Sequence, residues 1–94
     1  MGALATLYSA QGRGEEAIAV LREARELMTE LQAEDEESQT LARIGMLQLG
    51  LGRVEQARTE IDTALAIAVR TGTSASIAYA TFSQAQLAHH EAGR

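Results

Sequence analysis

Two adjacent histidines, His89 and His90, followed by Glu91, are the side chains of this 94-residue chain best suited to hold a metal or move a proton near neutral pH. Their spacing argues against both uses. On a helix of 3.6 residues per turn, neighbours point about 100° apart, so consecutive side chains do not converge on one ion. The expectation is one packed and one solvated histidine. Asp62 and the other acids have no partner at a spacing suited to acid and base work, and no glycine loop followed by lysine offers a phosphate cradle. With no cysteine there is no disulfide, no thiolate nucleophile and no cysteine metal site. Tyr79 and Phe82 could form an aromatic spot, but their spacing favours Phe82 in the core with Tyr79 half exposed. The run Glu34-Asp35-Glu36-Glu37 could dock a basic peptide. It reads more simply as a loop and the acidic first turn of a helix with Asp35 as its N-cap. These residues give no basis for catalysis, and the chain is expected to be neither an enzyme nor a cofactor carrier.

The elements behind these residues must be helical. Proline and lysine are absent, and alanine, leucine, glutamate, glutamine and arginine dominate. Of the 46% hydrophobic fraction, eighteen residues are alanine, which favours close helix packing over a bulky core. A chain of this length buries only about 60 to 65% of its unfolded surface. Residues 1–40 hold nine acids and three arginines, against four acids and five arginines in residues 41–94. The acidic balance argues against binding a phosphate backbone. Neither a membrane-length apolar run nor a signal-peptide pattern is present, so a soluble cytoplasmic segment is expected. Basic residues that are all arginine, with no asparagine, suggest a GC-rich bacterial source.

The chain repeats itself. Gly12-Arg13-Gly14-Glu15-Glu16-Ala17-Ile18, with Leu21 and Ala24, returns as Gly52-Arg53-Val54-Glu55-Gln56-Ala57-Arg58, with Ile61 and Ala64, and Ala92-Gly93-Arg94 begins a third copy. The step from Gly12 to Gly52 nearly equals that from Gly52 to Gly93, and such a long, even step is the mark of stacked helical hairpins. Five helices follow from the pattern. The first covers Met1 to Ala10, with Leu4, Leu7 and Tyr8 on one face. The second runs from about Glu15 to Leu31, with a stripe through Ala17, Leu21, Ala24, Met28 and Leu31. The third turns Leu41, Ile44, Gly45 and Gln48 to the core and ends at Gly50. The fourth, about Val54 to Arg70, buries Ala57, Ile61, Ala64, Leu65 and Ala68 and closes at Gly72 as a left-handed C-cap. The fifth, capped by Thr73 or Ser74, runs through Ile77, Phe82 and Ala85 to about Ala92.

The series Met1, Leu4, Ala5, Tyr8, Gly12, Ala17, Leu21, Ala24 and the series Leu41, Ile44, Gly45, Gln48, Gly52, Ala57, Ile61, Ala64 resemble the tetratricopeptide repeat, as does the partial series Phe82, Ala85, Gln86, His89, Gly93. The period is longer than is usual for that repeat. No proline closes the second helix, and Gln48 and His89 stand where Tyr8 places an aromatic, which suggests looser packing there. The resemblance implies an all-α stack of antiparallel hairpins in a right-handed superhelix. It would form one domain over 1–94: repeats at about 1–33 and 34–72, then an unpaired helix at 73–94 whose Phe82 and Ala85 leave an apolar face open.

It also implies a partner peptide or domain held in a concave groove lined by the first helix of each pair. The outward positions there are Thr6, Ser9 and Ala10; Gln39, Ala42, Arg43, Met46 and Leu49; and Ser83, Gln84, Leu87, His90 and Glu91. The asparagine and lysine set with which some members clamp a C-terminal carboxylate is missing, and only Arg43 offers a comparable fork. Long-period repeats of this kind resemble those of bacterial multidomain transcriptional regulators. The expected function is therefore a non-catalytic protein-interaction module, with a structural spacer or self-association through the unpaired helix as the alternative. No metal, nucleic acid or membrane partner is expected.

Overall fold

Residues 13–92 are described by the computed structural model, and they form four helices joined by short turns: α1 (Gly14–Glu30), α2 (Glu34–Gly50), α3 (Val54–Thr71) and α4 (Ser74–Ala92). These are the expected second to fifth helices. The expected helix over Met1 to Ala10 lies outside the described residues, as do Thr6 and Ser9. α3 starts at Val54 as α1 starts at Gly14, and α4 starts at Ser74 as α2 starts at Glu34, so both pairs are offset by the same step. That step sets the repeat register.

Local chemistry places the ends. Glu15 and Glu16 occupy the first turn of α1, and all four acids of the run Glu34 to Glu37 occupy the first turn of α2, where carboxylates suit the positive end of the helix dipole. Asp35 is not the N-cap: α2 starts one residue earlier, after Ala33. The Asp35 carboxylate instead accepts a hydrogen bond from Ser76 Oγ of α4 at 2.8 Å. Gly72 ends α3 with φ 76°, the left-handed cap expected of it, and Gly52 ends α2 with φ 82°. The turn after α1 repeats this geometry without a glycine: Gln32 takes φ 57°, and Ala33 N–H donates to the Met28 carbonyl just as Arg53 N–H donates to that of Gln48.

Small residues let the helices close on each other. Ala17, Ala57 and Ala64 are fully buried and Ala24 nearly so. Gly45 marks the closest approach, because a Cβ there would stand 2.6 Å from Ile61 Cγ1 and 3.2 Å from the Ala57 carbonyl. Leu41, Ile44, Gly45 and Gln48 all face inward as expected. Gln48 is not loosely packed: its amide fits between Arg22 and the Gln56 carbonyl, with its oxygen 3.0 Å from Arg22 Nη2 and its nitrogen 3.2 Å from Gln56 O.

α2 is the central element, packed against α1, α3 and α4. Ion pairs reinforce each seam: Arg25–Glu37 at 3.0 Å between α1 and α2, Arg22–Glu60 at 3.0 Å between α1 and α3, Arg70–Glu34 at 2.8 Å between α3 and α2, and Arg58–Glu91 between α3 and α4. The hydrogen bond and charge of Glu91 hold the Arg58 guanidinium above its ordinary pKa. Exposed pairs of this kind contribute little each, so the core decides stability.

Candidate functional site

Three neighbours leave α2 one open side. Glu37, Thr40 and Ile44 turn toward α1; Ser38, Leu41 and Gly45 toward α3; Asp35, Gln39 and Leu49 toward α4. The accessible residues are Glu36, Gln39, Arg43, Met46 and Gly50, a strip stepping by three and four along one face. Arg43 lies at its middle.

This arrangement sorts the expected site residues. Gln39, Arg43 and Met46 on α2 remain accessible, as do Gln84 and, in part, His90 on α4. Four others do not. Ala42 and Ser83 are fully buried, Leu87 is 3% exposed and Leu49 9%. Reading α2 and α4 as though their concave sides were free left out the fact that α4 lies against α2 as well as α3. Leu87 and Leu49 therefore meet in one cluster with Val54, Ala57 and Ile61, and Ala42 joins Leu41, Ala64 and Ile67. Ser83 turns its hydroxyl back to the Tyr79 carbonyl at 3.0 Å.

Phe82 is likewise not in the core. The buried face of α4 is Ser76, Ala80, Ser83 and Leu87, and Phe82, 57% exposed, points the other way with Ala85. The open apolar face expected on this helix is therefore present. The register explains it: Phe82 falls one repeat after Ala42, and on α2 that side is the one covered by α3. Tyr79 is half-buried against Leu41, Ala42, Ala64 and Ile67. Among the acids of the Glu34 to Glu37 run, Glu34 binds Arg70, Asp35 binds Ser76, and Glu37 accepts from Arg25 and from Thr29 Oγ1, both at 3.0 Å. The run is thus mostly spent inside the fold.

A groove of about 420 Å³ opens beside the strip, between α1 and α2. Its α1 wall is Leu21, Ala24, Leu27, Met28 and Leu31, with Leu27 50% and Leu31 77% exposed. The stripe expected to be buried as far as Leu31 therefore opens over its last turn. Its α2 wall is polar: Glu36, Gln39, Thr40 and Arg43. Thr40 is satisfied by Met28, its hydroxyl 3.2 Å from the sulfur. Arg13, Arg22, Arg25, Arg53, Arg58 and Arg70 each pair with a glutamate, whereas Arg43 has no ion pair among the described residues. Periodicity alone does not reveal the groove, because its opening depends on what stands opposite α1. The apolar spacing of its α1 wall was legible.

His89 is exposed and His90 half-buried. No group of three or more metal-ligating side chains occurs among the described residues, and no helix among them is long and apolar enough to cross a membrane. The surface is suited to contact rather than to bond-making.

Comparison with known families bears on the same features. No curated protein and no solved structure matches the chain. A family profile described as tetratricopeptide repeat matches residues 1–68, which takes in α1, α2 and most of α3. Such repeats are typically non-catalytic and bind protein partners. Hairpins repeating at a constant step, alanines at their crossings and this match together show that the chain belongs to the tetratricopeptide repeat family.

Proposed function

We propose that this chain is a non-catalytic protein-interaction module that holds a peptide or partner domain on the side formed by the first helix of each pair. The strip Glu36, Gln39, Arg43, Met46 and Gly50 carries the reading. It is a continuous accessible face on the most enclosed helix, and it joins a guanidinium that has no ion pair among the described residues to an adaptable methionine. Gln84 and His90 extend it onto α4. Thr6 and Ser9 belong to the same proposed surface. The domain spans 1–94, with repeats at about 1–33 and 34–72 and a further helix at 73–94, and works without a cofactor as part of a cytoplasmic bacterial regulator, such as a multidomain transcriptional regulator.

The test is capture of a partner by the wild-type chain and by Arg43→Glu and Met46→Glu variants. The module reading expects both to lose the partner, and equal capture by all three would overturn it. A second reading, self-association, is favoured by the exposure of Phe82. Light scattering on the wild type and on Phe82→Glu checks it: a dimer that the substitution dissolves supports it, and a monomer in both excludes it.

A further inference from the structure

The groove between α1 and α2 has a counterpart one repeat on, and that counterpart is filled. Ala24, Leu27 and Leu31 correspond to Ala64, Ile67 and Thr71 of α3, while Glu36 and Arg43 correspond to Ser76 and Ser83 of α4. Between α3 and α4 lies α2 itself. Ser38 Oγ donates to the Ala64 carbonyl at 2.7 Å, Leu41 and Ala42 pack on Ala64 and Ile67, and Asp35 and Gln39 meet Ser76. The second groove is thus a helix seat with its helix in place, and the first has the same walls. In this register, the seat contacts made by Asp35 to Gln39 match no position of this sequence, because one repeat before Gln39 precedes Met1.

We propose that the groove between α1 and α2 takes an amphipathic helix of a partner protein. It runs as α2 runs in the neighbouring seat, with a basic side chain toward Glu36 and a carboxylate toward Arg43. The inference rests on the protein-interaction reading and specifies one site within it. Apolar complementarity comes from Leu27, Met28 and Leu31, whose exposed surface such a helix would cover. Charge complementarity sets the rest. Glu36 and Arg43 have no ion-pair partner among the described residues, and a helix laid over them without counter-charges would leave both desolvated and uncompensated. Glu36 and Arg43 lie two helical turns apart, about 10 Å, so the partner's basic and acidic residues are spaced likewise. In the filled seat the same two places are held by serines, which ask for no counter-charge. The partner's charge pattern therefore distinguishes the two seats.

The probe is a fluorescein-labelled, end-capped helical peptide of about five turns. It carries alanine and leucine where α2 presents Ser38, Leu41, Ala42 and Gly45, an arginine to face Glu36 and, two turns on, a glutamate to face Arg43. Anisotropy titration with the full chain is expected to show saturable one-to-one binding. Leu31→Glu and Arg43→Glu should each weaken it at least about tenfold, which is the loss of one good contact. A peptide with lysine in place of that glutamate should recover binding to Arg43→Glu, and recovery also certifies that the variant is folded. The proposal is overturned by absence of saturable binding, or by failure of the charge-swapped pair to recover. It is also overturned if Leu31→Glu is harmless while Met46→Glu and Gln84→Glu abolish binding, a result that leaves the broader surface reading standing. Self-association of the chain alone that Leu31→Glu dissolves would give the seat to a second copy and equally overturn it.

Discussion

The two grooves of this molecule share a register and differ in what fills them. The one between α3 and α4 is sealed by α2: Ile61, Ala64 and Ala80 are fully buried, and Gly45 is drawn to within a methyl's width of Ile61. The one between α1 and α2 has the same spacing of apolar residues, yet Leu27 and Leu31 stand half or more exposed along it. A tetratricopeptide stack therefore has no intrinsic inside for a given helix face. The face becomes core when the next helix arrives and remains a docking surface when it does not.

Substitutions at matched places should break that symmetry by unequal amounts. The largest effect is expected at Ile61→Ala in the filled groove, a loss of about 3 kcal/mol through a cavity that the surrounding helices cannot close. Leu31→Ala in the open groove should change stability by less than about 0.5 kcal/mol. Urea unfolding followed by circular dichroism measures both, and equal losses would contradict the difference between the grooves. Next comes Gly45→Val, expected to cost about 2 kcal/mol by forcing α2 and α3 apart. A neutral result would show that the close approach at Ile61 is not needed. Ser38→Ala should cost about 1 kcal/mol, the value of its buried hydrogen bond to the Ala64 carbonyl. The smallest change is a gain. Gln32→Gly should raise stability by about 1 kcal/mol, since Gln32 is held at φ 57° in a turn that Gly52 makes freely after α2. A loss at that position would mean that the Gln32 side chain contributes more than its backbone costs.

Sequence alone showed the helices and the sites of close packing because both follow from local rules. Ala17, Ala57 and Gly45 are small where hairpins cross, and Gly72 and Gly52 take the positive φ that ends a helix. Gln32 escaped notice because glutamine carries no turn signal; only the matching place of Leu31-Gln32-Ala33 and Leu51-Gly52-Arg53 reveals it. The binding surface was half legible. Periodicity placed Arg43 and Met46 outward, but it could not tell the side of α2 that meets α4 from the side that meets solvent. Ala42, Leu49, Ser83 and Leu87 were thus assigned to the wrong environment. Two neighbours can be read from a hairpin pattern; the third requires the stack.

Amide hydrogen exchange on the full chain tests the stack most directly. If α2 sits enclosed by α1, α3 and α4, the amides of residues 38–48 and 57–68 exchange only through global unfolding, those of residues 27–31 exchange faster, and those of α4 beyond Leu87 exchange faster still. Exchange in α2 as fast as at the end of α4 would show that no helix is enclosed, and the seat, its register and the surface beside it would fall together.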